Sequence, residues 1–447
     1  MENQLLLAYY GDDFTGSTDA LEFLSRAGAK TALFMTPPSA ATLAKYQGLK
    51  AIGVAGMSRA MSPDAMEKRL TPDFEALKHL PVRHIHYKVC STFDSSPTIG
   101  SIGKAIEIGL AVFQTAFVPV LVAAPSLGRF CTFGNLFARM GIGSQGAIYR
   151  LDRHPSMSKH PVTPADEGDL RLHLAKQTDK KIGLLDILQI VKPFDQVQKA
   201  LQELVENKTA IVLIDGLYQE QFPQIGQLLD AQANDSALFS VGSSGIEMAL
   251  GGFWNAQQQL VPQETWEEVE AVSNLLVISG SCSPVSNAQI DWAKNNGFSE
   301  VILDAQRLCK QEITLATLTP YIEAGTALIQ AGKPLVIHTD GGNANQNNRH
   351  FESLSSEKLG TALGLIAKHI IEKTGIKRLL IAGGDTSSFA ARALEIEAIE
   401  MIKPLVPGAP LCRVSSPNPV IQGLEVNVKG GQVGAENYFG VVALGKS

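Results

Sequence analysis

Asp12 and Asp13 stand side by side at the end of the apolar run LLLAYYG (5–11). Neighbouring carboxylates repel each other and are costly to desolvate. The pair therefore calls for a cation, a substrate rich in hydroxyls, a proton to be taken, or solvent. Gly16 and Ser17 read as a turn, and Ala20, Leu21, Leu24 and Ala27 form the apolar face of a helix closed by Gly28. Both carboxylates then sit at a strand end, just before a helix N-terminus. In the plain alternative one aspartate caps the helix and the other is solvated. For the pair together we expect function. Haloacid-type phosphatase chemistry needs a second aspartate two residues after the first, and Phe14 occupies that place. A general base taking a proton from a substrate hydroxyl fits better.

The next candidate stretch is YKVCSTFDSSPTIGSIG (87–103), where Lys88 ends a strand and Ser91, Thr92, Asp94, Ser95 and Ser96 follow. A lysine followed by hydroxyls suits an anionic, oxygen-rich ligand; a Ser/Thr-rich turn with a surface lysine is the plain reading. Nothing nearby in sequence activates Cys90, which reads as a small buried filler. His84 and His86 alternate on one strand and read as packing or polar-surface residues. His154 and His160 bracket a proline-containing loop, where His160 is as well suited to a ligand as to structure. Arg129, just past the strand ending at Ala124, is placed to clamp a carboxylate. No metal ligand set is assigned.

The second half has Gly/Ser-rich turns after strands: SGSCSPVS (279–286), HTDGGNANQNN (338–348), AGGDTSS (382–388) and VKGGQVG (428–434). Such turns offer backbone N–H groups to phosphates, helped by the following helix N-terminus. No GxxxxGK[ST] occurs, and no GxGxxG follows a strand. With Lys429 beside the last loop, nucleotide phosphates are the expected ligand.

The elements that position these residues follow from near-continuous apolar runs alternating with longer helical patterns. Val, Ile, Leu and Ala runs mark strands buried on both faces, hence parallel sheets covered by helices. Ligands bind outside the carboxyl ends of such strands, where the candidates lie. The 447 residues are too many for one ordinary core. Residues 251–272 are polar, and the rhythm restarts after them. We expect two α/β domains with largely parallel sheets and an interdomain active-site cleft: 1–255 for a small polar acid, which the resemblance given below makes a sugar acid, 256–272 a linker, 273–447 for a nucleotide. A net charge of −6 and the absence of a basic stripe argue against nucleic acid. No run approaches the roughly 20 apolar residues of a membrane span, and no signal peptide is evident. Five scattered cysteines without CxxC spacing argue against a disulfide framework. A cytoplasmic protein is expected, with homo-oligomerisation left open. From these residues alone the layout is that of a small-molecule kinase. Its rivals are a non-catalytic two-domain sugar-acid-binding protein and a nucleotide-independent hydrolase or isomerase.

Six motifs, GDDFTGSTDA, YKVCSTFDSSPTIGSIG, MSKHPVTP, GSCSPVSNAQ, GGDTSS and KGGQVG, occur in the order seen in four-carbon acid sugar kinases. The chain resembles that family over essentially its whole length. CSTFDS is similar to the 3-oxo-tetronate kinase branch; the threonate and erythronate kinases carry Asp and Arg where this chain has Cys90 and Asp94. The alternatives are the branched acid 3-oxo-isoapionate, or D-threonate and D-erythronate. The resemblance implies ATP and Mg²⁺ as cofactors and phosphorylation of the terminal (C4) hydroxyl. It implies Asp12 and Asp13 as catalytic residues, with Thr15, Lys88, Ser91, Thr92, Asp94, Arg129 and His160 toward the sugar acid. Ser281, Ser283, Gly383, Gly384, Asp385, Thr386, Lys429, Gly431 and Gly434 would form the ATP site.

Overall fold

The computed structural model describes residues 5–140, 146–160, 162–233, 236–281, 283–339 and 355–446. The chain forms two compact units, Met1–Ala32 with Thr36–Glu264, and Leu33–Met35 with Thr265–Ser447. Its strands in the first half are β1 (Leu5–Gly11), β2 (Thr31–Phe34, straddling the division), β3 (Ala51–Ala55), β4 (Val82–Lys88), β5 (Val118–Leu121), β6 (Arg129–Thr132), β7 (Asn135–Arg139), β8 (Ile148–Arg150), β9 (Ile182–Leu185), β10 (Ile211–Ile214) and β11 (Leu238–Gly242).

The main sheet of the first unit runs β3-β1-β4-β11-β5-β10-β9 and is parallel throughout. Its central strands are buried on both faces, as their unbroken apolar runs require. β1 lies between β3 and β4: the chain leaves it toward β2 and β3, and the connection from β3 to β4 then crosses to its other side. That makes its carboxyl end a topological switch point, where side chains from neighbouring loops can converge around a ligand. The register sets Gly11 of β1 opposite Ala55 of β3 and Lys88 of β4. Behind these ends Tyr10 packs edge-on against Phe74 at 5.8 Å and stacks on Tyr87 at 6.2 Å, with Phe113 and Phe239 completing the cluster. Rings in such contacts add about 0.5–1.5 kcal/mol per pair beyond burial, which fixes the strand ends that carry the site.

Two features of the first unit differ from the sequence expectation. Gly16 and Ser17 are not a turn: the helix starts at Phe14 and runs to Arg26, with Asp13 as its N-cap. β6, β7 and β8 form a small antiparallel sheet where no strands were expected. Their short segments alternate burial rather than presenting a continuous apolar run.

The second unit contains β12 (Leu276–Ser279), β13 (Ser299–Leu303), β14 (Leu335–Thr339), β15 (Arg378–Ala382), β16 (Ala398–Val406), β17 (Ala409–Ser415) and β18 (Glu425–Lys429), in the order β13-β14-β12-β15-β18-β17-β16. The first five of that order are parallel; β17 is antiparallel to both neighbours. β16 was not anticipated, since Lys403 and Pro404 interrupt its apolar pattern. Leu275, Val277, Val336, Leu380, Tyr438 and Phe439 belong to its core. Among the described residues no helix is long and apolar enough to cross a membrane.

Candidate active site

At the switch point of the first unit, Asp12 and Asp13 are both buried, so neither is the solvated carboxylate of the plain alternative. Asp13 caps the helix: Gly16 N–H donates to its Oδ1 at 2.6 Å and the Thr15 hydroxyl to its Oδ2 at 2.7 Å. Between the pair lies Arg59, carried by the three-residue helix Ser58–Ala60 just after β3. Its guanidinium reaches Asp12 through Nη2 at 3.1 Å and Nε at 3.3 Å, and Asp13 through Nη1 at 2.8 Å. One fork thus compensates two buried carboxylates, which is what makes the arrangement affordable. Burial still pushes the Asp12 carboxyl up to about 6, against the pull of Arg59 and with a further push from Asp13.

Lys88 is buried one strand away, its carbonyl accepting the Asp12 N–H at 2.8 Å. Its ammonium donates to Val89 O at 3.0 Å and lies 3.5 Å from Asp19 Oδ2, an oxygen that also accepts from the Ser244 hydroxyl. Burial works against that ammonium, but Asp19, Glu247 and Asp12 outweigh it and hold its pKa above the ordinary lysine value. Glu247 in turn meets His86 Nδ1 at 2.6 Å, and His86 Nε2 faces Gly242 O at 3.2 Å. The ring of contacts closes over Gly16. A Cβ there would stand 2.7 Å from Asp13 Oδ1, 3.5 Å from Lys88 Nζ and 3.7 Å from Arg59 Nη2, so only glycine leaves the spot open to a small polar ligand.

Ser91 and Thr92 are buried after β4, and the Thr92 hydroxyl meets Cys90 Sγ at 2.9 Å. Burial, with Asp94 next, pushes the Cys90 thiol up to about 11, the behaviour of an inert thiol. Thr92 and Asp94 line a small pocket with Phe93, Ser95, Thr163 and His173. Arg129 is buried, with Nη1 donating to Leu127 O at 2.8 Å and Arg139 O at 3.3 Å. Its Nε has no hydrogen-bond partner, and it makes no ion pair with a carboxylate among the described residues. His160 is not brought to the acid pair by any described contact; its Nδ1 takes the Thr163 N–H at 3.1 Å and faces the Thr163 hydroxyl at 3.0 Å.

In the second unit β12, β15 and β18 are neighbours, and their ends are in register: Ser279 opposite Ala382, and Ala382 opposite Lys429. The expected loops therefore converge. Ser283 caps the helix Pro284–Asn295, accepting the Ser286 N–H at 3.0 Å, and its own hydroxyl donates to Gly431 O. Cβ atoms at Gly280 and Gly431 would come within 2.6 Å of the Thr386 and Ser281 hydroxyls, and Gly383 (φ +145°) would also strike Thr386. This close three-loop packing demands glycine. Gly434, at φ +88°, turns the last loop, where the Gln289 side-chain amide donates through Nε2 to the Val433, Gly434 and Ala435 carbonyls at 3.0–3.1 Å. Gly384 precedes the helix Asp385–Ala393 without a side-chain cap. The Asp385 side chain and the 340–348 part of HTDGGNANQNN lie outside the described residues. Lys429 is fully buried, its ammonium 3.4 Å from the Ser286 hydroxyl and 6.0 Å from the Tyr438 ring centre. Burial alone lowers its pKa to about 8.

A model of a sugar-binding N-terminal domain matches residues 7–250, and one of a nucleotide-binding C-terminal domain matches residues 276–439. A protein of Paraburkholderia graminis named 3-oxo-isoapionate kinase is 39% identical over 99% of this chain and 95% of its own length. The chain belongs to the four-carbon acid sugar kinase family. A Pseudomonas savastanoi relative of this kinase, named 3-oxo-tetronate kinase, is 29% identical over 97% of this chain and 96% of its own. Among solved structures, a Salmonella typhimurium LT2 protein shares the kinase's fold at a TM-score of 0.77 and 22% identity, covering 98% of each chain. A Haemophilus influenzae protein does so at 0.70 and 21%, covering 98% of this chain and 99% of that one.

The chain is a sugar-acid kinase, and its nucleotide-binding domain implies ATP use. Several of its charged and polar groups escaped the sequence reading. Arg59 carried a readable signal, an arginine directly after a buried strand, of the same kind that singled out Arg129. Asp19, Ser244 and Glu247 carried none: they lie within or at the start of helices, and Ser244 meets Asp19 across 225 positions of sequence.

Proposed function

We propose that the chain transfers the γ-phosphoryl group of ATP to the terminal hydroxyl of 3-oxo-isoapionate, in the cytoplasm. The observation that carries this choice of acceptor is the 39% identity, along almost the whole chain, to a protein of that name, against 29% for the 3-oxo-tetronate kinase. The second reading is 3-oxo-tetronate itself, favoured by the likeness of CSTFDS (90–95) to that branch.

The geometry supports a division of labour. Lys88 and Arg59 already face carboxylates of the protein, whereas buried Arg129 keeps an unpartnered Nε and no acidic partner among the described residues. Arg129 is therefore assigned to the substrate carboxylate. Asp13 is fully engaged in capping the helix and holding Arg59. Asp12 has Arg59 as its side-chain partner and a carboxyl raised to about 6, near the working pH that suits a general base. In the transfer, the hydroxyl oxygen forms its bond to Pγ as the bond from Pγ to the bridging oxygen of ADP breaks, and the hydroxyl proton passes to Asp12. Lys429, buried with no carboxylate partner among the described residues, is assigned to the nucleotide phosphates. Ser281, Ser283, the Gly383–Thr386 turn and Gly431–Gly434 complete that cradle.

Mg²⁺ is the expected companion of ATP, where it neutralises charge on the β and γ oxygens. The described residues gather no cluster of three or more His, Cys, Asp or Glu able to cage a metal, and Arg59 holds Asp12 and Asp13. No residue is assigned to the ion. In-line transfer needs acceptor and γ-phosphoryl in one water-free space. ADP release with Mg²⁺ against 3-oxo-isoapionate, 3-oxo-tetronates, D-threonate and D-erythronate is the test. Preference for the branched acid supports the proposal; turnover confined to unbranched acids replaces it with the second reading. ATP-independent acid binding without ADP overturns both.

A further inference from the structure

One face of β4 carries three basic side chains in succession, His84, His86 and Lys88, each buried in the interior of a parallel sheet. A carboxylate from the covering helices answers each of them: Asp230 from Phe222–Asp230, Glu247 from Gly245–Ala256 and Asp19 from Phe14–Arg26. His84 Nε2 meets Asp230 Oδ1 at 3.1 Å, and Arg83 and the Trp254 indole N–H share that carboxylate. His86 Nδ1 meets Glu247 Oε1 at 2.6 Å while its Nε2 faces the Gly242 carbonyl. A carbonyl can only accept, so Nε2 carries a proton and the short Nδ1···Oε1 contact holds another. Both pairs lie below the strand end; only the third, Lys88 with Asp19, reaches it. Lys88 Nζ stands 3.5 Å from Asp19 Oδ2, which the Ser244 hydroxyl holds, and Asp19 Oδ1 is buried without a hydrogen bond. Val89 O takes one N–H of the ammonium, which also borders the opening at Gly16. The titratable groups that face it are Asp19, Glu247, Asp12 and Cys90, with Asp19 the strongest attraction and Asp12 weaker. Glu247 is engaged by His86, so Asp19 is the carboxylate left to hold Lys88.

We propose that Asp19, held by Ser244, is a positioning residue of the acceptor site: it draws the Lys88 ammonium back from Asp12, so that Asp12 stays free to take the hydroxyl proton and the ammonium stays beside the opening at Gly16. The inference rests on the proposed role of Asp12 as the base and deepens it. Lysine carries its charge on a flexible four-carbon stem, and without Asp19 the nearest carboxylates at the strand end are those of the acid pair. An ammonium resting on Asp12 would occupy the oxygen meant for the substrate proton. It would also pull the carboxyl down from about 6, since an opposite charge favours the ionised form, and leave a weaker base. Arg59, Asp13, Lys88 and Tyr87 are the charged or titratable groups that face Asp12, and Lys88 is the one that Asp19 controls. A carboxylate that served only to pack the strand would leave the titration of Asp12 where it is.

The test follows the Asp12 carboxyl by carbon-13 NMR in the full chain labelled at aspartate, without substrate, its signal assigned with Asp12→Asn. The variants are Asp19→Asn, Ser244→Ala and Asp19→Asn with Lys88→Met; the serine change loosens Asp19 more gently and keeps the test open should Asp19→Asn fail to fold. The expected result is an Asp12 titration at lower pH in Asp19→Asn, a smaller fall in Ser244→Ala, and no fall once Lys88 is replaced. In parallel, kcat/KM at pH 7 with 3-oxo-isoapionate and a 3-oxo-tetronate should drop at least about tenfold in Asp19→Asn, its acid limb moving with the titration. An Asp12 titration that stays in place or rises in the folded single variants, or a fall that persists without Lys88, overturns the role of Asp19. A titration that falls while the acid limb of kcat/KM does not move upholds the hold of Asp19 on Lys88 and overturns Asp12 as the base instead.

Discussion

The ends of β1 and β18 bury charge in opposite ways. At the end of β1 every buried charge has an answering charge: Arg59 forks between Asp12 and Asp13, and Lys88 faces Asp19. At the end of β18 a single ammonium, Lys429, is buried against a serine hydroxyl and an aromatic ring, with no carboxylate partner among the described residues. A compensated cluster keeps its geometry whether or not a ligand is present, because each member holds the next. An uncompensated charge is poised for a ligand, since only an anion from outside can repay its desolvation. The first arrangement suits aligning a hydroxyl and accepting its proton. The second suits capturing a polyanion.

The largest effect that would break this contrast is loss of the proposed base, Asp12. Asp12→Asn should lower kcat by about 10³-fold, within the range for general bases, with ATP affinity unchanged by calorimetry. Turnover within tenfold of the unaltered chain would move the role away from Asp12. Next is Arg59→Met, which strands two buried carboxylates. Removing one member of a fully buried pair costs about 3–5 kcal/mol; with Arg59 a quarter exposed, about 2–3 kcal/mol is expected in chemical denaturation. Combining it with Asp12→Asn should recover part of that loss, since the two changes share one interaction. Strict additivity would show that the cluster is not compensated as described.

Lys429→Met sharpens the comparison from the other side. ATP should bind about 10–100-fold more weakly, while the melting temperature at pH 7 should rise by roughly a few degrees because a buried unpaired charge has been removed. A variant that loses stability instead would mean that a partner for Lys429 had been overlooked.

How much of this was legible beforehand depended on the range of the interactions. Parallel strands write continuous apolar runs, so the ends of β1, β4, β12, β15 and β18 could be found, and with them Asp12, Asp13, Lys88 and Lys429. The helix start was misread because Gly16 suggested a turn, whereas glycine is needed there to leave space before Asp13, Lys88 and Arg59. β16 was missed because Lys403 and Pro404 break its pattern, and β6–β8 because short antiparallel strands alternate. The countercharges were the hardest to foresee. Arg59 reaches Asp12 across 47 positions and Glu247 reaches His86 across 161, so only the fold tells which charge answers which.

The smallest expected effect, and the most specific, is a pair of opposite slopes in stability against pH. Asp12 has a folded pKa of about 6 against an ordinary 3.8. Between those values the folded state binds more proton than the unfolded one, so stability falls as pH rises from about 4 to about 6. Lys429 has a folded pKa of about 8 against an ordinary 10.5. There the unfolded state holds more proton, so stability rises with pH from about 8 to about 10.5. Each group contributes about 1 kcal/mol per pH unit inside its window. Melting curves across the range should lose the acid slope in Asp12→Asn and the alkaline slope in Lys429→Met, each variant leaving the other slope in place. Saturating ATP should flatten only the alkaline slope, because bound phosphate supplies the countercharge that Lys429 lacks and raises its pKa toward the ordinary value. If ATP flattened the acid slope instead, the assignment of charge roles to the two domains would have to be exchanged.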